Sequence, residues 1–290
     1  MGIGYQAVDR RVIDYDLWFA APEGPALRGP RLDPARLDWP RALCCIGAAQ
    51  TFGRFVHAPY PTQLGRLLGR PVLNLGVSGA GPEYYLRRPA LMAMLARAGI
   101  AVVQVMSGRS VSAGVFRALD NNGLLEFLDG PRKGERMLAQ PAYAALREEY
   151  GEAAFRAQVT AAQTTWVRLY RELAGSLTGR KLLLWISADQ PGRNVRLERS
   201  PLGAFPHLVT AEMLAEVGTL FDHVVPCVLP HMPAQVLVND VTGMMETVFD
   251  AARFPARPEA LRQLNTYYAT PDLHDLAARE LARCLLRAGG

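Results

Sequence analysis

The chain has 290 residues, of which 50% are hydrophobic, and its formal net charge is +5. This length and composition suffice to bury a sizeable core, which excludes an intrinsically disordered chain and predicts one large domain or two smaller ones. Of the 32 basic residues only Lys133 and Lys181 are lysines, and the arginines are spread along the sequence. Because no basic tract concentrates the charge, the composition argues against a nucleic-acid-binding protein and merely permits an acidic partner.

The cysteines and the apolar runs indicate the compartment. Cys44, Cys45, Cys227 and Cys284 form no CxxC pair, so we expect buried free thiols rather than zinc ligands or disulfides. The N-terminal segment MGIGYQAVDRRVIDYDLWF carries charges where a signal peptide needs its apolar part. No later apolar run approaches the ~18 residues of a membrane-spanning helix. The sequence thus predicts a cytoplasmic protein without membrane contact.

Residues 1–40 are rich in Pro, Gly and Asp and show neither helical nor strand periodicity. We expect an N-terminal arm that packs on a single α/β domain formed by residues 41–290. Within that domain, five aliphatic runs are separated by segments long enough for helices: ALCCI at 42–46, PVLNL at 71–75, IAVVQVM at 100–106, KLLLWI at 181–186 and HVVPCVL at 223–229. Continuous apolar strands that alternate with helices are typical of a parallel sheet buried on both faces. Pro226 lacks an N–H for the ladder, so the fifth strand is predicted at an edge.

Helices are predicted at TQLGRLLG, over 84–98, over 139–177 and from Pro271 onwards. The apolar residues of the long segment recur every three or four positions and share one face: Phe155, Val159, Ala162, Trp166, Leu169, Leu173 and Leu177. The last helix has a cap candidate in Thr270, Pro271 at its first position and Asp272 in its first turn. Its buried stripe is predicted to comprise Leu273, Leu276, Leu281 and Leu285. The result is a doubly wound, three-layer α/β/α domain with a five-stranded parallel sheet and insertions at 108–138 and 188–209.

Ligands of such sheets bind beyond the carboxyl ends of the strands. The loops there read GAAQTFGR, GVSGAG, SGRSVSAG, SADQPGRN and PHMP. Any one glycine-rich loop is most simply a tight turn, but three together indicate a pocket in which backbone N–H groups approach a ligand.

Four of these segments resemble the sequence blocks of the SGNH or GDSL hydrolase superfamily. IGAAQTFG resembles the first block, GDSxTxG, and VLNLGVSGAG resembles the second, whose Gly helps to form the oxyanion hole. VVQVMSGRS is similar to the third block, a strand followed by a GxND-type turn, and YYATPDLHDLAARELA is similar to the block that begins the last helix. The resemblance implies a flavodoxin-like, SGNH-hydrolase-like sheet. The GAAQTFGRF stretch also resembles a block of uncharacterised bacterial proteins.

The catalytic residues of that superfamily do not carry over. Ala48 stands at the position of the Asp and Ala49 at that of the nucleophilic Ser, so no acyl-enzyme can form there. Tyr268 stands at the position of the catalytic His, and its reference pKa of about 10 makes Tyr a poor base near pH 7. Gly79 matches the oxyanion-hole Gly.

Two further positions also depart from the superfamily. Asn265 stands at the position of the acidic partner of the His. Arg109 falls on the oxyanion-hole Asn, or Gly108 does so if the turn is one residue shorter. The resemblance therefore implies a divergent member in which the Ser-His-Asp triad is replaced.

A relocated set of catalytic residues is one alternative, because a hydroxyl nucleophile needs an adjacent base and an orienting group. The candidates are Ser78, Ser107 or Ser110 as nucleophile, His231, His274 or His57 as base, and Asp272 or Asp189 as orienting group. For His274 a structural role is the simpler interpretation, since residues two apart on a helix do not face each other. His231 is the better free histidine, whereas His207 and His223 are expected to serve structure or solvent contacts.

An anion site is the other alternative. Arg109 and Arg54 follow the third and first strands, and Arg binds carboxylate, phosphate or sulfate in a bidentate manner. The competing interpretation for both is an ion pair with a protein carboxylate. The predicted ligand-binding residues are Gly47, Ala49, Gln50, Thr51, Gly79, Ser107, Arg109 and Tyr268. No GxxxxGK[ST], strand-borne GxGxxG or HExxH motif occurs, so we predict no cofactor and no metal.

Three functions remain open at this point. The first is an SGNH-like protein that binds, or transfers a group to, a small anionic or glycan-like ligand in the ancestral pocket. The second is an esterase or acyltransferase with relocated residues, Ser78 or Ser110 with His231 or His274. The third is a non-catalytic interaction scaffold. The expected partner is a small molecule, with no nucleic acid and no membrane, and an oligomer remains possible.

Overall fold

The five predicted strands form one parallel sheet in the computed structural model, which describes residues 9–120, 123–246, 264–265 and 267–287. The strands are β1 (Trp18–Phe19), β2 (Ala26–Leu27), β3 (Leu43–Ile46), β4 (Val72–Asn74), β5 (Ile100–Gln104), β6 (Phe116–Ala118), β7 (Leu124–Phe127), β8 (Arg136–Leu138), β9 (Arg180–Ser187), β10 (His223–Val228), β11 (Gln235–Val236) and β12 (Leu264–Asn265). The helices are α1 (Ala49–Phe52), α2 (Tyr60–Leu68), α3 (Pro82–Leu86), α4 (Pro89–Arg97), α5 (Ala139–Gly175), α6 (Ala211–Gly218) and α7 (Pro271–Arg287).

The strand order of the central sheet is β10-β9-β5-β3-β4, and all four pairings are parallel. Numbered along the chain, this is the flavodoxin-like order 2-1-3-4-5, in which the direction of winding reverses between β3 and β5. Strand β10, which contains Pro226, lies at an edge of the sheet as predicted, and among the described residues only β9 pairs with it.

Helices cover both faces of the sheet because successive strand residues point to opposite sides. In β9, Leu183 and Trp185 pack with the residues of α3, α4, α5 and α6, whereas Leu182 and Leu184 pack with α2 and α7. The apolar runs were continuous for this reason, since each face has its own core. The predicted three-layer α/β/α architecture is confirmed.

Two helix predictions need correction. The segment 84–98 forms two helices, α3 and α4, because Arg88 precedes Pro89 and takes a non-helical backbone. The long helix α5 is interrupted at Gly151, whose φ of 84° is left-handed and suits glycine. The predicted apolar face of this segment is nevertheless buried along its whole length.

Helix α7 begins at Pro271 as predicted, and Leu273, Leu281 and Leu285 are buried while Leu276 is partly buried. The predicted side-chain cap is wrong. The buried Thr270 Oγ1 has no hydrogen-bond partner among the described residues. The Thr270 carbonyl instead accepts hydrogen bonds from the N–H groups of Leu273 and His274.

The N-terminal segment contacts the turn that follows β3. The Arg28 guanidinium is buried and donates to the carbonyl oxygens of Gly53 (2.5 Å), Val56 (2.6 Å) and His57 (2.9 Å). These bonds hold the chain just after α1, where the carbonyls have no helical partners. The division into an arm and a domain stays a prediction.

The two predicted insertions differ in structure. Within 108–138, strands β6, β7 and β8 form a small antiparallel sheet, whereas 188–209 contains neither helix nor strand. Both segments leave and rejoin the domain near the carboxyl ends of β5 and β9. They therefore contribute to the edge of the sheet where a ligand is expected.

The cysteines are free, as predicted, and Cys44, Cys45 and Cys227 are buried. Burial raises the pKa of the Cys44 and Cys227 thiols to about 12, so these groups stay neutral and unreactive. Across the described ranges, none of the helices combines the length and the apolar character needed to cross a membrane.

Candidate functional site

A cavity of about 480 Å³ opens at the carboxyl edge of the sheet. Segments that follow each of the five central strands contribute to its lining, and it spans the switch point between β3 and β5. We call this cavity the pocket. Its lining includes Ala48–Gln50, Ser78–Ala80, Ser107, Arg109, Ser110, Gln140, Ile186–Asp189, Gly203–Phe205, His207, Met232, Tyr267–Ala269 and Leu273.

Most of the predicted ligand-binding residues meet in the pocket. Six line it: Ala49, Gln50, Gly79, Ser107, Arg109 and Tyr268. Ser78 and Ser110, predicted as candidate nucleophiles, line it too. Gly47 and Thr51 do not, because they lie beneath it in contact with the end of β5. Their contribution is to the shape of the turn and not to the surface that a ligand touches.

A set of hydrogen bonds beneath the pocket holds the turn after β3, and its centre is Gln104 on β5. The Gln104 Oε1 accepts from the N–H of Ala48 (3.0 Å), the N–H of Thr51 (3.1 Å) and the Thr51 hydroxyl (2.6 Å). Its Nε2 donates to Gln50 Oε1 at 3.2 Å, and Gln50 lines the pocket. One carboxamide therefore satisfies two backbone N–H groups of the turn and the Thr51 hydroxyl.

Two further side chains complete this set. The Tyr85 hydroxyl accepts from the Gly47 N–H at 3.1 Å and lies 2.7 Å from the Gly47 carbonyl oxygen. Asn74 donates to the Thr51 carbonyl at 2.8 Å and accepts from the Gly76 N–H at 3.0 Å. We call Gly47, Thr51, Asn74, Tyr85 and Gln104 the buried polar network. Gln104 is not among the predicted site residues, although a lone amide at the end of an apolar strand is a visible signal in the sequence.

Gly47 is required by close approach. A Cβ on Gly47 would overlap Thr51 Oγ1 and Gln104 Oε1, so no other residue fits without displacing the network. Ala48 and Ala49 follow, both buried and both lining the pocket, with Ala49 as the first residue of α1. The turn thus keeps a tight strand-to-helix geometry, while its two positions that line the pocket carry methyl groups.

Arg109 and Arg54 differ in their partners. Arg54 forms a salt bridge with the buried Asp9, and its Nε donates to Ser78 Oγ at 2.8 Å. Burial lowers its pKa. Arg109, in contrast, forms no salt bridge with any described residue, and its buried Nε has no hydrogen-bond partner there. The ion-pair interpretation is therefore correct for Arg54, and the described residues do not supply such a pair for Arg109.

The predicted relocated bases lie outside the pocket. His274 is completely buried, and its Nδ1 accepts from the Tyr60 N–H at 3.1 Å. Burial lowers the pKa of His274 to about 3, so the ring is a neutral structural group stacked on Tyr60. His231 is exposed and does not line the pocket. Among the candidate nucleophiles, Ser78 is already bound by Arg54.

A different histidine does meet a serine in the pocket. The Ser107 Oγ lies 3.0 Å from His207 Nδ1 and accepts from the His207 N–H at 3.2 Å. The Gly108 N–H donates to the His207 carbonyl at 2.8 Å, so two backbone bonds fix the pair. Burial, and then the charge of Arg109, hold the pKa of His207 well below 6.5, which keeps the ring neutral. The sequence predicts only structure or solvent contacts for His207, because no local sequence pattern signals a partner 100 positions away.

Tyr268 and the neighbouring Tyr267 also reach the pocket. Asn265 Oδ1 accepts from the N–H groups of Tyr268 (2.9 Å) and Tyr267 (3.1 Å), and Asn265 Nδ2 donates to the Tyr268 carbonyl. Asn265 therefore shapes the turn before α7. Both tyrosines line the pocket as a result.

The chain is similar in fold to solved lipases and esterases at very low sequence identity. A lipase from a goat rumen metagenome is 10% identical with a TM-score of 0.43, over 86% of this chain and 97% of that one. A carbohydrate esterase family 2 enzyme from Corynascus thermopiles is 12% identical with a TM-score of 0.41, over 92% of this chain and 70% of that one. A putative SGNH hydrolase from Slackia heliotrinireducens is 14% identical with a TM-score of 0.38, over 84% of this chain and 98% of that one.

A comparison with curated protein sequences found no match. One family model matches residues 5–119 and 144–287, which include the turn after β3, the end of β5, the 188–209 segment and the start of α7. The chain belongs to that family, which is described as a domain of unknown function, DUF6473.

Proposed function

We propose that this SGNH-like protein, which lacks the usual triad, binds a small molecule with an anionic group in the pocket, and that Arg109 pairs with that group. The observation that carries the proposal is the Arg109 Nε, which is buried without a partner among the described residues while the residue lines the pocket. A buried donor of a charged group is costly to leave unsatisfied. A carboxylate, phosphate or sulfate of a ligand would satisfy it with a bidentate, charge-assisted contact.

The surroundings of Arg109 support a polar ligand of moderate size. Hydroxyl groups of Ser107 and Ser110 and the amides of Gln50 and Gln140 border the same pocket. Aromatic side chains form another part of the lining, and one of them, Tyr267, is 58% exposed. Polar groups that fix orientation beside aromatic surfaces are typical of small-molecule sites, and they favour a sugar acid or a similar hydroxylated anion.

Ala49 argues against the ancestral chemistry at this place. Its methyl group occupies the position that the nucleophilic hydroxyl has in the superfamily which the sequence resembles, so no covalent intermediate forms there. The loss of that hydroxyl leaves an apolar contact point for a ligand. The cytoplasmic location stays a prediction.

The test is ligand-induced stabilisation with defined anions. Glucuronate, acetate, phosphate and sulfate are added to the wild type, to Arg109→Gln and to the matched control Arg156→Gln, whose exposed guanidinium pairs with Glu152. We expect at least one anion to raise the melting temperature of the wild type and the control, with the apparent affinity about tenfold weaker in Arg109→Gln, which corresponds to ~1.4 kcal/mol. Equal shifts in all three proteins, or none in any, would contradict the proposal. Glucose serves as the neutral comparison for glucuronate.

A further inference from the structure

We propose that Ser107 is a nucleophile and His207 its general base, and that the pocket transfers an acyl group from an O-acylated small molecule that carries an anionic group. This inference rests on the proposed function for the anionic part of the substrate. It adds a reaction, with residues that neither the sequence blocks nor the relocated set singled out as a pair.

The geometry of the pair carries the inference. Ser107 Oγ and His207 Nδ1 are 3.0 Å apart, within the reach required of a nucleophile and its base, and both residues line the pocket. The His207 backbone N–H donates to the same Oγ at 3.2 Å, and in the tautomer with the proton on Nε2 the Ser107 hydroxyl donates to Nδ1. The pair is therefore oriented for proton transfer from serine to histidine.

Its place in the fold suits a nucleophile that has moved by one strand. Ala49 follows β3 and Ser107 follows β5, and these two strands are neighbours on either side of the switch point. Both residues line one cavity, so an ester group could present its carbonyl to Ser107 while the rest of the substrate occupies the space beside Ala49. Ser107 itself is only 4% exposed, so the substrate must enter the pocket to reach it.

The charges around the pair fit a reaction in which negative charge develops. The charged side chains that line the pocket within the described residues are Arg109 and Asp189. Arg109 is close enough to His207 to disfavour the imidazolium, and the same cation would stabilise an oxyanion formed beside Ser107. No carboxylate bonds to the His207 ring among the described residues, so we expect slow turnover rather than that of a complete triad.

The steps balance without any further reactant except water. Ser107 Oγ bonds to the ester carbonyl carbon as its proton passes to His207 Nδ1, and the C–O bond to the alcohol then breaks as His207 returns that proton to the leaving oxygen. Water attacks the acyl-serine with His207 again accepting a proton. The C–Oγ bond breaks, Ser107 recovers its proton, and a carboxylic acid is released.

Active-site labelling of the full chain tests this directly. A fluorophosphonate forms a P–O bond with a nucleophilic serine as its P–F bond breaks and fluoride leaves. We expect one equivalent of label on the wild type, and peptide mapping by mass spectrometry places it on Ser107. Because this experiment needs no variant, a folding defect cannot obscure it. No label, or label on any other serine, would overturn the inference.

Variants then separate the nucleophile from its base. Ser107→Ala is expected to abolish labelling, and His207→Gln to slow it at least tenfold while the near-ultraviolet circular dichroism is retained. The controls are Ser176→Ala and His223→Gln, whose exposed side chains lie at the end of α5 and at the start of β10, away from the pocket. Equal labelling rates in His207→Gln and the wild type would overturn the role of His207 as base and show that the pair only holds two loops together.

The pH profile of labelling is a second readout that a purely structural Ser107–His207 pair would not produce. Burial and Arg109 keep His207 neutral well below its ordinary range, so the labelling rate should stay level between pH 8 and pH 6. A fall with a midpoint near 6.5 would mean an ordinary, exposed base and would overturn the assignment of His207. Anion binding is measured separately without label, so failure of the acyl transfer and failure of the proposed function give different results.

Discussion

The buried polar network and the pocket are built from the same strand ends, yet they differ in how far the protein itself satisfies their polar groups. In the network, Gln104, Asn74 and Tyr85 have several protein partners each, all at hydrogen-bonding distance. In the pocket, the Arg109 Nε has none among the described residues, and Ala49 presents a methyl group. The two regions share the turn after β3, which contributes Gly47 and Thr51 to the network and Ala48–Gln50 to the pocket.

This difference distinguishes structure from function in the same sequence block. The glycine and the Thr-Phe-Gly part of IGAAQTFG resemble the superfamily because they shape the turn, and the network shows why Gly47 and Thr51 are needed for that. Groups that are completely satisfied inside the protein have nothing left for a ligand. Groups that the fold leaves unsatisfied beside a cavity are the better indication of binding, and Arg109 is of this kind.

The largest effect is expected for Gly47→Ala. The added Cβ overlaps Thr51 Oγ1 and Gln104 Oε1, and we expect a loss of about 3 kcal/mol in the free energy of unfolding. Urea unfolding measures it. The control is Gly175→Ala, where a Cβ meets no atom within 4 Å and a helical alanine should add about 0.5 kcal/mol. A mild effect at Gly47 would show that the network can rearrange.

Next in size is Gln104→Leu. The leucine leaves the N–H groups of Ala48 and Thr51 without their acceptor, and we expect the free energy of unfolding to fall by about 2 kcal/mol. Gln140→Leu provides the contrast, because Gln140 is an exposed amide of the pocket lining and its loss should cost less than about 0.5 kcal/mol. Similar losses in both variants would break the distinction between network and pocket.

The pH dependence of stability probes the support below the turn, where Tyr60 bonds Thr51 and also contacts His274. The pKa of His274 is lowered from 6.5 to about 3, so between these values only the unfolded state binds the proton. Stability is therefore lost as the pH falls, by about 1.4 kcal/mol per pH unit from this residue. Chemical unfolding at pH 7, 5.5 and 4.5 should show a smaller decline for His274→Gln than for the wild type. The exposed His223→Gln should behave as the wild type does.

The smallest change in stability is expected for Arg109→Met without ligand. The variant loses no hydrogen bond to a described residue at Nε and removes an unsatisfied buried donor, so the free energy of unfolding should change by no more than about 1 kcal/mol. Urea unfolding in an anion-free buffer is the measurement. A loss above about 2 kcal/mol would show that Arg109 has a structural partner, and it would move this residue from the pocket to the network.

Prediction from the sequence succeeded where a local pattern decides the outcome. All five strands were found because each face of a parallel sheet is buried and the apolar run is therefore unbroken. Pro226 placed β10 at an edge through its missing N–H alone. Six of the eight predicted ligand-binding residues lie in the pocket, because the carboxyl ends of parallel strands meet at one edge.

It failed where side-chain contacts decide. Gln104 at the end of an apolar strand was not predicted, although it accepts from the N–H groups of Ala48 and Thr51 and from the Thr51 hydroxyl. Thr270 was predicted to cap α7, and its hydroxyl has no partner among the described residues. The packing of α7 on α2 buries the His274 ring against Tyr60, which agrees with the structural interpretation of this residue and rules out its use as a relocated base.

The sequence by itself determined the order of strands and helices and the turn after β3, because each depends on residue types within a few positions of one another. Only the tertiary structure decided which serine lies beside which histidine, and which arginine has a buried donor without a partner among the described residues. Ser107 and His207 are joined by the path of the irregular 188–209 segment across the end of β5. Arg54 pairs with Asp9 from the distant N-terminal segment, whereas Arg109 pairs with no described carboxylate. Such contacts depend on where the chain returns in space, and no spacing in the sequence encodes that.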